Sequence, residues 1–274
     1  MIGLDDVLYS KFSALIKEKV GIEYGPDQKN LLNNRLMALL LANKIENFHE
    51  YFELISNDEK GNYLTEFIAK ITTNHTYFYR EKSHFEFLES RIFREHEEDI
   101  SQRNKKELRY WVAASSTGEE PYMLAMMLKN HFVDRNIIPV KVLATDISRK
   151  VVEKATEGKY KRSEVDKLPE YYVQSFFNTV ESKFFEVKPE VKDLVTFRVL
   201  NLVRESFPFQ GKFDVIFIRN VMIYFDEETR RKLISQLYDL LNDNGYLFIG
   251  QTESIHFKIN KFNQVFPSVF KKDI

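Results

Sequence analysis

Cysteine is absent from the chain, glycine occurs only nine times in 274 residues, and tryptophan once. The missing thiols exclude disulfides, thiolate metal sites and any mechanism built on a cysteine nucleophile. An excess of one charge is missing too. The formal net charge is −1, so no global field recruits nucleic acid or an anionic membrane. No run approaches the ~20 consecutive apolar residues of a membrane span. The opening residues, MIGLDDVLYSKF, carry acids where a secretory signal needs basic residues and a long apolar stretch. A soluble, cytoplasmic chain is expected. With 43% hydrophobic and 30% charged residues, and with 24 Phe and 14 Tyr to fill a core, the composition is that of a globular protein, not a disordered one.

Helical periodicity dominates the first seventy residues. Leu4, Val7, Leu8, Leu15 and Ile16 recur at three-to-four spacing, as do Leu31, Leu32, Leu36, Leu39 and Leu40. Gly25-Pro26 marks a turn between these runs, and a third helical run covers about Tyr63 to Ile71. HFEFLESRIFREHEEDISQRNKKEL reads as an amphipathic helix fading into a charged connector that ends near Glu107. From Leu108 the pattern changes: LRYWVAAS, VKVLATD, LVTFRVLNL, KFDVIFIRN and GYLFIGQTE are buried-strand candidates separated by helices. One helix opens after Gly118, a second closes at Gly158, and a third has Asp226 as N-cap and Gly245 after its end. Strands alternating with helices predict an α/β fold with a mostly parallel sheet covered on both faces. Residues 161–194 depart from this rhythm with Tyr-Phe pairs and KFFEVK, which predicts a small β insertion. KFNQVFPSVFKKD predicts a closing hairpin with Pro267 in its turn. The expected division is a helical domain over 1–75, a connecting helix over 76–107 and a ligand-binding domain over 108–274.

Ligands of such sheets sit beyond the carboxyl ends of the strands, at the switch in strand order. The loop after the first strand, Ser115 to Glu120, holds one glycine and two carboxylates, Glu119 and Glu120. Paired acids repel a pyrophosphate and suit a cationic ligand, although acids also stabilise a helix N-terminus by themselves. Asp146 ends the second strand, where an acid either accepts both hydroxyls of a ribose or N-caps the helix that follows. Asn220 and Tyr224 lie just past the fourth strand, a position that favours function. Taken together, the three loops describe a nucleoside with a cationic group and no phosphates, a description met by S-adenosylmethionine.

ITTNHTYFYRE, AASSTGEEPYMLAM, LATDIS, FDVIFIRNVMIYFDEETRR and GYLFIGQTES follow one another from about Ile71 to Ser254. In this order they resemble the signature blocks of the chemotaxis receptor methyltransferases, the CheR family; STGEEPY and RNVMIYF are the most specific. The resemblance implies a Rossmann-like S-adenosylmethionine-dependent methyltransferase domain behind an all-α domain. It also implies transfer of methyl groups to glutamate carboxylates of chemotaxis receptors, with S-adenosylhomocysteine as product. By position it assigns Asn74, Thr76, Arg80, Glu119, Glu120, Asp146, Asn201, Leu202, Asn220 and Val221 to the cofactor, and sets Arg80 and Tyr224 nearest the transferred methyl group.

The same resemblance implies a basic docking helix, and Gln28–Ile45 offers Lys29, Arg35 and Lys44 with no acid; three charges on a solvated helix face read almost as well. Some members bind a receptor's C-terminal pentapeptide tether with a glycine-bearing loop in the insertion. FNTVESKFF has no glycine, so a tether is not expected to be needed. His75 and His84 lack companions at metal-ligand spacing, so no metal is expected. Two other readings compete: a methyltransferase for a different acceptor, and a non-catalytic cofactor-binding scaffold. RNVMIY stands where amino-group methyltransferases often carry Asn/Asp-Pro-Pro-aromatic, and the charge balance opposes nucleic acid.

Overall fold

The computed structural model describes residues 3–58, 61–103, 105–255 and 262–273. Asn104 in the expected connector and Lys261 at the start of the expected hairpin lie outside the described residues. The first helix, α1 (Asp6–Val20), is capped by Asp5, whose carboxylate accepts the Leu8 amide at 2.8 Å. Its buried stripe is Leu8, Phe12, Ile16 and Val20 at four-residue spacing, while Val7 points to solvent. Helix α2 (Lys29–Asn43) buries Leu32, Leu36, Leu39 and Leu40 in the same core. Next come α3 (Phe48–Ser56) and α4 (Asn62–Ile71). Phe12 is the hub, with the rings of Phe52 and Phe67 at 5.1 and 6.0 Å. Helix α3 is an addition to the sequence reading. Its Asn47 cap and the i, i+3, i+4, i+7 spacing of Phe48, Tyr51, Phe52 and Ile55 are legible once sought.

A second helical stretch links this bundle to the sheet: α5 (Lys82–Phe87) passes through one wide turn into α6 (Phe93–Arg103). Phe85, Leu88, Ile92 and Phe93 from it are buried in the core on one sheet face. The chain then runs β1 (Leu108–Ala113), α7 (Glu119–Leu128), β2 (Val140–Asp146) and α8 (Arg149–Glu157). A small antiparallel sheet follows, made of β3 (Lys159–Lys161), β4 (Phe177–Val180) and β5 (Phe184–Val187) in the order 3-5-4. Short helices α9 (Arg162–Val165), α10 (Glu170–Phe176) and α11 (Pro189–Lys192) accompany it. The main sheet resumes with β6 (Val195–Val199), β7 (Phe213–Ile218), α12 (Glu227–Leu240), β8 (Leu241–Ile249), β9 (Phe262–Phe266) and β10 (Val269–Lys272).

The order across the main sheet is β6-β2-β1-β7-β8-β10-β9; β10 runs antiparallel to both its neighbours, and every other pairing is parallel. Winding starts at β1, moves outward through β2 and β6, and returns to β7 on the other flank of β1. The switch point thus lies between the carboxyl ends of β1 and β7. All six residues of β7 are buried, as a strand covered on both faces requires. One expectation needs correction. Helix α12 does not run to a glycine stop at Gly245; it ends at Leu240 with Leu241 already extended. The registry shifts between Phe213 and Val215, so residues 242–245 bulge out before the strand resumes opposite Val215 at Tyr246.

Gly21, which ends α1, has φ 73°, and a Cβ there would overlap Val203 and press on Thr229 and Phe225. The glycine lets α1 stop hard against the sheet domain. Gly21→Ala is expected to lower stability by at least the ~1–2 kcal/mol of a left-handed non-glycine residue, read as a lower midpoint in urea unfolding.

Candidate active site

A cleft enclosing about 880 Å³, with open solvent at its mouth included, lies over the switch point. The segment between α4 and α5 contributes Asn74, His75, Thr76 and Arg80. Across from it, the strand-end loops contribute Ser116, Glu120, Asp146, Asn201, Asn220 and Tyr224. Val20 and Ile22, from the end of α1, cover the side toward Leu200 and Leu202. Left-handed backbone at non-glycine residues is concentrated in these walls: Tyr79, Glu81, Ala114, Ser116 and Asn220 all have φ between 48° and 63°. Such conformations cost of order ~1 kcal/mol or more each and persist where surrounding contacts over-determine them.

Asp146 is buried, and its two oxygens accept the amides of Ser148 and Ser116 at 2.9 Å each. Burial pushes its carboxyl up, while the amides of Ser148, Ser116 and Ile147 oppose the shift. Ser148, not Asp146, occupies the N-cap position of α8. Each carboxylate oxygen accepts more than one hydrogen bond, so both keep capacity toward the cleft. Ser116 reaches the other wall, its hydroxyl donating to the Asn74 carbonyl at 3.0 Å.

The deepest feature was not singled out by the sequence reading. Arg219, 1% exposed at its side chain, places Nη1 2.8 Å from Glu120 and Nη2 3.2 Å from Glu81. Nη2 also donates to the Arg80 carbonyl at 2.6 Å. Glu81 in turn accepts from the Asn220 amide side chain at 3.1 Å. Burial pushes the Glu120 carboxyl up and Arg219 pulls it back. His84, 3.4 Å from Glu81, is held down to about 4 by burial and then by Arg219, so it is neutral at neutral pH. Glu253 pins the loop after β7 by accepting the amides of Gly250, Asn220 and Met222 at 2.6, 2.9 and 2.8 Å. An arginine directly after the buried apolar run Val215 to Ile218 was the available signal for Arg219. Little local marked Glu253, because two of its three partners, Asn220 and Met222, lie some thirty residues back.

The remaining expected residues fall into two groups. Leu202 and Val221 line the cleft, and Arg80 lines it while donating to the His75 carbonyl at 2.8 Å. Tyr224 sits in a tight turn whose carbonyl accepts the Glu23 amide at 2.8 Å, beside a bridge between Ile22 and Phe225. Asn201 spends its amide on the Lys19 carbonyl at 2.7 Å and its oxygen on the Val203 amide. Glu119 does not line the cleft; its carboxylate is buried and accepts from the Thr117 hydroxyl. Of the three cations on α2 and its end, Lys29 pairs with Asp6. Arg35 turns inward to Tyr24, the Ile71 carbonyl and Thr73, which lines the cleft. Lys44 is exposed.

A doubly wound sheet of this order has its cleft at the switch point and an acid at the end of the second strand. It also puts carboxylates where a phosphate cradle would need bare amides, and it defines the class of S-adenosylmethionine-dependent methyltransferases. Residues 74–270 match the family model "CheR methyltransferase, SAM binding domain", and residues 8–72 match "CheR methyltransferase, all-alpha domain". A chemotaxis protein methyltransferase of Borreliella burgdorferi is 40% identical over 265 residues, which is 96% of this chain and 93% of that one. One from Escherichia coli is 34% identical, covering 92% of this chain and 86% of that one. A probable one from Rhizobium etli is 35% identical, covering 88% and 90%. The chain belongs to the CheR methyltransferase family, and S-adenosylmethionine is its cofactor. Among the described residues, no helix is long and apolar enough to cross a membrane.

The join between α1 and the Tyr224 turn includes an ion pair, Lys17 to Asp226 at 2.7 Å. Lys17 and the Thr229 amide hold Asp226 down to about 2. A depressed carboxylate stabilises the fold above its ordinary pKa near 3.8, and that contribution is lost as pH falls through about 2. Asp226→Asn retains the α12 cap but not the charge. Its deficit in Tm against the unsubstituted protein is expected at pH 5 and should close as pH approaches 2.

Proposed function

We propose that the protein transfers the methyl group of S-adenosylmethionine to glutamate side-chain carboxylates of chemotaxis receptors, in the cytoplasm. The observation that carries this reading is the convergence of Arg80 and Tyr224 from opposite walls onto the cleft that also holds Glu120 and Asp146. The cleft suits the cofactor on chemical grounds. It offers a buried acid toward a ribose, a second acid toward an ammonium group, apolar cover from Val20, Ile22 and Leu202, and no cradle for phosphates. When bound, the cofactor supplies an activated methyl on a sulfonium whose leaving group is neutral. A glutamate, with a reference pKa near ~4.3, is already an ionised nucleophile at neutral pH. The protein therefore needs no general base; it has to align the carboxylate and strip its water.

In this reading Asp146 binds the ribose hydroxyls, and Asn74, Thr76, Asn201, Leu202, Asn220 and Val221 shape the cofactor pocket. Glu120, steadied by Arg219, faces the ammonium group. Glu119 acts only through Thr117. Arg80 faces the acceptor carboxylate, and Tyr224 holds the reacting centre in line. Residues 1–75, with the connecting helix 76–107, serve as a docking and covering unit for the catalytic domain over 108–274. Lys29 and Lys44 belong to the docking surface for the receptor, and Arg35 supports the cleft wall at Thr73. In this reading a receptor tether is not required: the β4–β5 turn carries Glu181 and Ser182 and has no glycine.

Two measurements test this reading. Receptor-rich membranes from the source organism, incubated with the protein and methyl-labelled cofactor, should acquire label that mild base releases as methanol. Label that resists base would move the acceptor to nitrogen or another group. Asp146→Ala should weaken S-adenosylhomocysteine binding by roughly tenfold or more, the loss of a charge-assisted bond of ~1.5–3 kcal/mol. Tyr224→Phe should leave that affinity near the parent value and lower kcat. Unchanged affinity in the Asp146 variant would remove that residue from the pocket.

A further inference from the structure

The segment that carries Arg80 into the cleft also carries Tyr77, and the ring of Tyr77 bears two cations. The Arg80 guanidinium carbon lies 5.9 Å from its centroid. The Lys167 ammonium, from the loop between α9 and α10, lies 4.4 Å from it. The imidazole of His75, which lines the cleft, stands 6.0 Å from the same ring. Lys167 is therefore on the rim of the active site, within about 10 Å of Arg80, although it belongs to the β insertion.

The charges around it leave it unneutralised. The acids nearest in sequence are engaged elsewhere: Asp166 with Arg162 at 3.9 Å and Glu164 with Lys154 at 3.4 Å. Among the described residues, neither Lys167 nor Arg80 has a carboxylate within ion-pair distance. An aromatic face steadies a cation without neutralising it. Two such cations on one ring form a preorganised acid-receiving platform, with one member in the cleft and the other outside.

We propose that Lys167 and Tyr77, with Arg80, form the acceptor-recognition platform of the enzyme. Lys167 pairs with a second carboxylate on the acceptor helix while Arg80 faces the one to be methylated. The inference rests on the proposed methylation of receptor glutamates and deepens it by taking the acceptor segment as a helix. A helix rises 1.5 Å per residue, so cations within about 10 Å of each other select a second acid one to two turns from the methylated residue. Lys167 recognises the acceptor without touching the reacting atoms, so its loss acts on acceptor affinity and association, not on the methyl-transfer step.

The test uses the full chain, receptor-rich membranes as acceptor, and base-released methanol as readout, with receptor concentration varied at saturating cofactor. Lys167 is exposed and in a loop, so its variants keep the fold; S-adenosylhomocysteine binding checks this. Lys167→Glu is expected to raise the apparent KM for receptor roughly tenfold, as reversal of a rim charge does at low salt, with kcat and S-adenosylhomocysteine affinity held. Lys167→Arg should restore the parent KM. Tyr77→Phe, which keeps the ring, should stay near the parent and Tyr77→Leu should follow Lys167→Glu. A parent-like KM in Lys167→Glu, measured while the unsubstituted protein methylates the membranes, overturns the platform and leaves the methyltransferase reading intact. Absence of base-labile label with the unsubstituted protein overturns both.

Discussion

The guanidinium of Arg219 is the point on which the active site depends. Burying it costs several kcal/mol in lost hydration. Nη1 and Nη2 recover part of that because Glu120, Glu81 and the Arg80 carbonyl arrive together. Those groups belong to the start of α7 and to the segment between the two helical stretches. One side chain at the end of β7 thus fixes the relative position of three walls of the cleft. Near this pair of carboxylates, His84 stays neutral because it is buried and, after that, because of the Arg219 charge. Glu253 does for the loop after β7 what Arg219 does for the opposite wall, using backbone amides as partners.

Backbone strain follows from this arrangement. Tyr79 and Glu81 flank Arg80 in left-handed conformation, and Ala114, Ser116 and Asn220 repeat it in the facing loops. None is a glycine. The strain is held by Arg219, Asp146 and Glu253, each of which takes two or more hydrogen bonds or ion pairs from neighbouring loops. A cleft built this way presents fixed donors and acceptors to its ligand and has little reorganisation left to perform on binding.

The helical domain supplies part of the cleft wall. Its first helix ends at Gly21, and the residues next to it pair with the Tyr224 turn and accept from Asn201. Lys17 adds a charge link to Asp226. Arg35, legible in the sequence only as part of a sparse basic stripe, ties α2 to Ile71 and Thr73 instead. The all-α and cofactor-binding parts therefore share one wall, and the covering residues Val20 and Ile22 come from the smaller part.

Most of the architecture was legible before any coordinates. Short apolar runs named β1, β2, β6, β7 and β8, and apolar spacing of three and four named α1, α2 and α4; these are local signals that a linear chain displays directly. Motif blocks likewise pointed to Arg80, Glu120, Asp146, Asn220 and Tyr224, all of which line the cleft. What the linear chain did not display was direction and partnership. Glu119 and Glu120 are neighbours, yet one turns to Thr117 and the other to Arg219. Helix α12 stopped five residues before its expected glycine because the β7–β8 registry, a long-range pairing, overrode the local stop signal. By itself the sequence determined the class of fold, the loops that build the site and the kind of ligand its charges suit. Only the tertiary structure decided which side chains face that ligand, because burial and ion pairing join segments far apart in the chain, as Arg219 does with Glu120 and Glu81.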